Sequence, residues 1–308
     1  MDKVAFLFAG QGAQYPGMGK ALYEASKAAR EVFDICEAIR PGTLAQCFEG
    51  SMEELSQTVN TQPCLFAMDL ACAAAAVEAG IEPAAAAGFS LGEIAAAAFT
   101  GMLSVENAFR LVIRRGEMMA ECAGKNPGVM LAVLRLSPEK VRELAADFGG
   151  VFPVNYNCPG QIVCAMAGEE AESFAQAVAA AGGRAMRLNV SGAFHSPFML
   201  EATYGLEDML KKIPIQQPRI PLYANLTARP YGEAMADTLA RQASSPVHWS
   251  ETIENMAADG ITAFVEVGAG KTLTGLMRKI NKDLTACSVA APDSLAAAVA
   301  LLKEALHA

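Results

Sequence analysis

The chain has 308 residues, of which 53% are apolar, and a formal net charge of -9 at pH 7. This length and apolar content are enough to bury the core of one large domain or of two unequal ones, so a chain that stays unfolded is excluded. The negative charge argues against a nucleic-acid-binding surface, because such surfaces neutralise phosphates with Lys and Arg.

The sequence predicts a cytoplasmic protein without membrane segments. A spanning helix needs about 18 or more consecutive apolar residues, and the sequence has no such run. The N-terminus leads directly into a strand, where a secreted protein would have a cleavable hydrophobic leader. The eight cysteines form no CxxC pair and accompany only three histidines, so we expect buried free thiols and no metal site.

Strands and helices alternate in the first part of the chain. In chain order, the predicted elements are a strand over residues 4–8, a helix over about 62–79, a strand over 84–88, and helices from about 91 and over 105–122. Ser51 and Glu54 have the spacing of a capping box ahead of the first long helix. Alternation of this kind is typical of an α/β domain.

The middle of the chain has a different element order. Its predicted elements are strands over 129–134, 151–155, 161–165 and 184–190, with helices from Ser137 and over 169–181. This order, βαββαβ, is ferredoxin-like, so residues 126–193 are predicted to form an inserted small domain. Residues 1–125 and 194–308 would then form one hydrolase-like α/β core with a parallel sheet, and the cleft between the domains is the expected site.

Later elements resume the α/β alternation. They are a helix from Pro197 and strands near 221–224, 263–267 and 286–290.

Two glycine segments look like nucleotide-binding loops but fail the patterns: Tyr15 replaces the last glycine of GxGxxG, and Val265 replaces the first glycine of a P-loop. We therefore expect no nucleotide cofactor.

A GxSxG motif, Gly88-Phe89-Ser90-Leu91-Gly92, lies directly after a predicted strand and directly before a helix. A nucleophile elbow requires this context, because the sharp turn crowds the backbone while it exposes the serine hydroxyl. The backbone N–H of Leu91 would point at a developing oxyanion. We predict that Ser90 is a catalytic nucleophile; the alternative is an ordinary tight turn.

A serine hydroxyl needs a base to take its proton, and few imidazoles are available. His307 is the penultimate residue, which leaves His195 and His248. Ser196 and Pro197 suit the N-cap and first position of a helix, whose positive dipole end favours a neutral imidazole. We predict that His195 is the base; the alternative is a structural histidine in a loop.

Arg115 has apolar neighbours three and four residues away in a predicted helix, so its side chain faces inward. A buried guanidinium is costly unless it is paired, and its planar fork suits a carboxylate. The partner is either an Asp or Glu of the protein or a carboxylate on a substrate.

Several motifs in combination match a known family. They are Gly10-Gln11-Gly12-Ala13-Gln14, the GxSxG motif with Glu93, Arg115-Gly116, the segment from Asn155 to Gln161, Gly192-Ala193-Phe194-His195-Ser196, and the segment from Glu266 to Lys271. Over nearly its whole length the chain resembles the malonyl-CoA:acyl carrier protein transacylases of fatty-acid synthesis, relatives of the acyltransferase domains of polyketide synthases. Phe89 departs from the family pattern, in which histidine is common.

The resemblance implies a ping-pong reaction with malonyl-CoA as substrate, acyl carrier protein as acceptor and no cofactor. Ser90 would attack the malonyl thioester while His195 takes its proton, and the malonyl group would then pass to the phosphopantetheine thiol of the carrier protein. The stretch around Phe194 resembles members that select malonyl over methylmalonyl groups.

The resemblance also assigns supporting residues. The implied roles are oxyanion binding by the backbone N–H groups of Gln11 and Leu91, carboxylate binding by Arg115, and further substrate binding by Asn157 and His248. Main-chain carbonyl groups near residues 245–249 would orient His195, so no acidic third residue is required.

Carrier proteins are acidic, so a partner with a net charge of -9 needs basic residues at its docking face. Four candidates cluster on one predicted late helix: Lys271, Arg278, Lys279 and Lys282. The alternative is a solvated helix face. We expect a monomer.

Two other functions use the same residues. A serine hydrolase or thioesterase acting on carboxylated acyl-CoA would share the motif and transfer the acyl group to water. A docking subunit of a larger synthase would bind carrier protein without forming an acyl-enzyme, and the combination of Ser90, His195 and Arg115 argues against it.

Overall fold

The strands of the protein belong to two separate sheets. The computed structural model describes residues 3–307, with side chains as far as Glu304. Within that range the strands are β1 (Lys3–Phe8), β2 (Pro83–Gly88), β3 (Gly128–Leu134), β4 (Phe152–Cys158), β5 (Gln161–Ala167), β6 (Arg184–Arg187), β7 (Leu222–Tyr223), β8 (Ile261–Val267) and β9 (Thr285–Val289). The helices are α1 (Lys20–Ala25), α2 (Lys27–Ile39), α3 (Thr43–Glu49), α4 (Met52–Leu55), α5 (Thr58–Glu78), α6 (Gly92–Phe99), α7 (Val105–Lys125), α8 (Pro138–Ala146), α9 (Ala171–Ala180), α10 (Leu200–Leu210), α11 (Met235–Arg241), α12 (Trp249–Ala258), α13 (Thr272–Ile280) and α14 (Pro292–His307).

The larger sheet is parallel and, within residues 3–307, has five strands in the order β7-β2-β1-β8-β9. Both faces of its central strand β1 are covered. Phe6 and Phe8 belong to the apolar core on one face, and Ala5 and Leu7 belong to the core on the other. Because strands buried on both faces are continuously apolar, β1 shows no alternation. The α/β architecture with a parallel sheet is as predicted.

The smaller sheet is antiparallel and, within the same described range, has four strands in the order β4-β5-β3-β6. One face carries Val129, Leu131 and Val133, which pack with α8 and α9. The opposite face carries Met130 and Ala132, which join the core of the larger part. The element order in this segment is the predicted βαββαβ.

Three strand ends in the smaller sheet differ from the prediction: β5 continues two residues further, to Ala167, and the ends of β4 and β6 differ by three residues each. β4 continues to Cys158, and not only to residue 155, because Tyr156 and Cys158 still pair with β5. β6 ends at Arg187, and not at residue 190, since Leu188 and Val190 turn to line a pocket. The differences in β4 and β6 bring side chains to the site described below.

Two helix starts differ from the prediction by more than two residues. α5 begins at Thr58, and not at about residue 62. The added first turn is polar, and the Thr61 hydroxyl is satisfied there because it donates to the carbonyl oxygens of Leu55 and Gln57. Ser196 caps the next segment as predicted, but Pro197–Met199 is a 3-10 turn ahead of α10.

The cysteines are free thiols, and all except Cys287 are buried. None of the helices within residues 3–307 is both long and apolar enough to cross a lipid bilayer. The side chain of His307 lies outside the described residues.

Candidate active site

Ser90 lies in a turn between the C-terminal end of β2 and the N-terminal end of α6. Its φ of 55° is left-handed, which is rare for a residue with a side chain. A Cβ atom on Gly88 would collide with the backbone of Gly92, and one on Gly92 would collide with the carbonyl oxygen of Phe8. The two glycines of the motif are therefore steric requirements of this strand-to-helix turn.

Two side chains from the last part of the chain hold the turn in place. The Ser90 backbone N–H donates to Asn225 Oδ1 at 2.8 Å, and Asn225 Nδ2 donates to the Gly88 carbonyl at 2.6 Å. Gln242 Nε2 donates to the Ser90 carbonyl at 2.5 Å. The two side-chain amides thus supply hydrogen bonds to backbone polar groups of the turn.

His195 lies beside the serine hydroxyl. Its Nε2 is 2.7 Å from Ser90 Oγ, and its Nδ1 is 2.9 Å from the Gln242 carbonyl oxygen. A carbonyl oxygen only accepts, so Nδ1 bears the hydrogen and Nε2 is free to accept the serine proton. The segment from residue 245 was expected to orient the ring; the backbone of Ser245 does contact the imidazole, and the carbonyl of Gln242, just before the segment, also accepts from Nδ1.

The imidazole of His195 is held neutral. Only 3% of the residue is exposed. Burial and the nearby positive charge of Arg115 lower the pKa of His195 to about 4, against hydrogen bonds to the backbone of Gln242 and Ser245 that raise it. The cause is therefore burial, and not the helix dipole that the sequence suggested, because a 3-10 turn follows the residue.

Arg115 faces inward as predicted and is 1% exposed. Its Nη1 donates to Gln62 Oε1 at 2.9 Å, and its Nη2 donates to Gln242 Oε1 at 2.8 Å and to Ser90 Oγ at 3.3 Å. Within residues 3–307 no carboxylate lies within ion-pair distance of it. Burial lowers its pKa to about 10, so the guanidinium stays charged at neutral pH while amides, and not an acid, solvate it.

These groups line one pocket of about 250 Å³ between the two sheets. Residues from the smaller sheet close it, including Asn155 and Asn157 on β4. The Oδ1 atoms of both asparagines are buried and have no hydrogen-bond partner within the described part of the chain. The remaining wall is mainly apolar and includes Met119, Met130, Val163, Phe194 and Leu276.

The two backbone N–H groups expected to bind an oxyanion flank the serine. Leu91 follows Ser90 directly, and Gln11 follows β1 and lines the pocket. In residues 3–307 neither N–H donates to another group of the chain. A Cβ atom on Gly10 would lie 2.7 Å from the Phe89 carbonyl oxygen, so glycine at this position lets the Gln11 loop approach the turn.

Comparison with known proteins identifies the family. The family model of the acyl transferase domain matches residues 5–302. The chain belongs to the acyl transferase domain family. It is 37% identical to the malonyl CoA-acyl carrier protein transacylase of Bacillus subtilis, over 99% of this chain and 98% of that protein.

Solved structures agree with this assignment. The malonyl CoA-acyl carrier protein transacylase of Clostridium perfringens superposes with a TM-score of 0.95 at 35% identity and covers 98% of each chain. A malonyl-transacylase solved in complex with a type II PKS acyl-carrier protein superposes with a TM-score of 0.93 at 33% identity, over 97% of this chain and 100% of that one.

In this acyl transferase domain His248 lies away from the pocket, against expectation. It borders a second cleft, of about 680 Å³, with Tyr156, Arg142 and Glu251. The His248 and Tyr156 rings stack 5.3 Å apart at 8°. Because Tyr156 faces this cleft while Asn157 faces the Ser90 pocket, β4 separates the two. His248 is not placed to bind a substrate at Ser90.

The predicted basic residues lie around α13, which borders the pocket through Leu273 and Leu276. Arg278 and Lys279 lie within this helix, whereas Lys271 and Lys282 flank it; all four are exposed. Lys279 Nζ donates at 3.4 Å to Oε1 of Gln161, a residue that lines the pocket.

Four residues of the site were missed by sequence reasoning: Gln62, Glu93, Asn225 and Gln242. Glu93 was noted only as part of a motif. Asn225 and Gln242 are separated from Ser90 by 135 and 152 residues. Gln62 lies in a helix that the sequence did predict, but its contact with Arg115 joins residues 53 positions apart.

Proposed function

We propose that this protein transfers the malonyl group from malonyl-CoA to the phosphopantetheine thiol of acyl carrier protein. The observation that carries the proposal is the arrangement of Ser90, His195 and Arg115. A serine with a neutral base at 2.7 Å lies 3.3 Å from a buried guanidinium that has no carboxylate of the described residues within ion-pair distance. An acyl group with its own carboxylate would pair directly with this guanidinium. The names of the relatives support the same substrate and acceptor.

The reaction would proceed in two halves through malonyl-Ser90. Ser90 Oγ attacks the thioester carbonyl carbon as its proton moves to His195 Nε2, which forms the O–C bond and an oxyanion. Collapse breaks the C–S bond, and coenzyme A leaves as a thiol with the proton from His195. The carrier thiol then attacks malonyl-Ser90, gives its proton to His195, and leaves as the malonyl thioester when the proton returns to Ser90.

The oxyanion of each half would be stabilised by the backbone N–H groups of Gln11 and Leu91. These groups are already oriented, since the turn and the Gly10 contact fix both segments. Loss of one donor of this kind costs on the order of 10²-fold in rate. Asn157 is proposed to contact the substrate through its unpartnered Oδ1, which can accept an N–H donor.

Carrier protein would dock at the rim formed by α13. Arg278 and Lys279 are exposed there, with Lys271 and Lys282 at its two ends. Because the rim lies beside Leu276 of the pocket wall, a prosthetic arm attached to a docked acidic protein could enter directly.

We also propose a domain organisation, a location and an oligomeric state. We infer a ferredoxin-like small domain over residues 126–193, inserted in a hydrolase-like domain formed by 1–125 and 194–308. A sheet of its own with the order β4-β5-β3-β6 and a separate core support it. Free thiols support a cytoplasmic location. A monomer without a cofactor is proposed because one chain supplies every group that the reaction uses.

Intact-mass spectrometry after mixing with malonyl-CoA tests the function. The wild type should gain one malonyl group at Ser90 that persists until holo carrier protein is added, and Ser90→Ala should gain none. Equal labelling of both proteins would refute the proposal. Rapid release of free malonate without carrier protein would assign the chain to the hydrolases instead.

A further inference from the structure

Glu93 is a buried carboxyl group to which the reaction above gives no role. It lies in the first turn of α6 and is 0% exposed. Three donors converge on it: the Tyr231 hydroxyl at 2.5 Å and the Asn225 backbone N–H at 3.2 Å on Oε1, and Gln242 Nε2 at 2.9 Å on Oε2. Glu93 is therefore part of a buried hydrogen-bond network.

The contacts fit the ionised form of Glu93. A backbone N–H and a side-chain amide N–H only donate, so both require an accepting oxygen. Burial raises the pKa of Glu93 to about 7, while the hydrogen bonds from Tyr231, Gln242 and Asn225 and the charge of Arg115 lower it. Tyr231 and Arg115 are the titratable groups that influence the pKa of Glu93.

Gln242 links Glu93 to both functional groups beside Ser90. Its Nε2 donates to Glu93 and to the Ser90 carbonyl, which fixes the amide plane. Its Oε1 then accepts from Arg115, and its backbone carbonyl accepts from His195. Rotation of this one residue would displace the base and the guanidinium together.

Asn225 is the second link. Its backbone N–H donates to Glu93, and its side chain holds Ser90 N and the Gly88 carbonyl. The carboxylate therefore contacts both residues that fix the strand-to-helix turn.

We propose that Glu93 is a positioning residue for acyl transfer, which acts on His195, Arg115 and the turn at Ser90 through Gln242 and Asn225. The inference rests on the proposed function. It accounts for the absence of an acid beside Arg115 in the described residues. The negative charge lies behind Gln242, where it offsets the guanidinium and leaves the position beside Ser90 open for a substrate carboxylate.

Glu93→Gln is the direct test. An amide in place of the carboxylate presents N–H to one of the donors, so one contact is lost and the network shifts. We expect kcat/KM for malonyl-CoA to fall by about 10²-fold, as for small misplacements of reacting groups. Wild-type kcat/KM should fall as the pH drops through about 7 and Glu93 is protonated, whereas the variant should lose this step. Glu106→Gln, an exposed first-turn glutamate of α7, is the matched control and should behave as the wild type.

Tyr231→Phe is the second variant and decides the question if Glu93→Gln does not fold. Removal of a hydrogen bond that lowers the pKa of Glu93 should move the acid step of kcat/KM to higher pH and leave the rate at alkaline pH close to that of the wild type. A purely structural role would lower activity equally at all pH values.

Acyl-enzyme formation by the wild type is measured first, because its absence refutes the proposed function and the inference with it. If the wild type is acylated, the inference is overturned by Glu93→Gln with wild-type kcat/KM and pH profile. An unmoved acid step in Tyr231→Phe also overturns it.

Discussion

The Ser90 pocket and the His248 cleft lie on opposite sides of β4 and each contain a histidine. In the pocket, both ring nitrogens of His195 are engaged, one by a hydroxyl and one by a carbonyl. In the cleft, His248 stacks on Tyr156 and has Nδ1 4.0 Å from Glu251. A histidine becomes a base through what its two nitrogens contact, so proximity to a motif in sequence does not identify one.

The largest contrast is expected between His195→Ala and His248→Ala. Loss of the base should reduce acyl-enzyme formation from malonyl-CoA on the order of 10²- to 10⁴-fold. His248→Ala should leave the rate unchanged and remove about 1 kcal/mol or less of stability with the ring stack. Single-turnover acylation and chemical unfolding measure the two effects. A large rate loss in His248→Ala would return that residue to the site.

The two arginines extend the comparison. Arg115→Ala should lower kcat/KM for malonyl-CoA about 10²-fold, in line with truncation of a buried charged partner. Acetyl-CoA has no carboxylate and should be affected less, so selectivity falls. Arg142→Ala, in the cleft, should alter neither value. Unchanged selectivity in Arg115→Ala would remove that residue from substrate recognition.

The pH dependence of stability should also separate the two histidines. The pKa of His195 is about 4 in the folded protein and 6.5 ordinarily, so between these values the unfolded state binds the extra proton. Stability from this group is therefore complete above about pH 6.5 and is lost as the pH falls towards 4, by about 3 kcal/mol at most. The stability difference between wild type and His195→Gln should shrink over that range. His248→Gln should change the slope less, because the ring is only half-buried.

The smallest effect is expected from surface charges beside the pocket and beside the cleft. Lys279→Glu, beside the Ser90 pocket, should raise the KM for carrier protein severalfold and weaken its salt dependence, since rim charges act mainly on association. Lys140→Glu, on α8 beside the cleft, makes the same charge change at an exposed side chain. It should change neither the KM for carrier protein nor its salt dependence. Equal effects of both substitutions would indicate a general charge effect and no docking at α13.

Local features of the site were predictable from sequence, and long-range ones were not. The turn at Ser90 follows from glycine spacing between a strand and a helix, and the inward face of Arg115 follows from helical periodicity. Gln242 has no such signature, because its partners lie on elements 127 and 152 residues away and its backbone carbonyl is as important as its side chain.

The same distinction applies to the fold. The βαββαβ order is visible in local apolar patterns, but the last residues of β4 are polar on the pocket side, where Asn157 meets a site and not a core. The end of the strand was therefore placed too early. His248 was assigned to the site through the family resemblance, and the bridge between Val247 and Asn155 of β4 is what places the next residue on the side away from Ser90.

Both Ser90 and His195 have left-handed backbones, with φ of 55° and 60°. For L-residues this costs roughly 1–2 kcal/mol each, and glycine would adopt the same shape without that cost. Selection for heat resistance alone would therefore favour glycine at Ser90, which is not fully buried, and would yield stable proteins that lack the nucleophile. Engineering this scaffold requires that every round of selection also demand turnover.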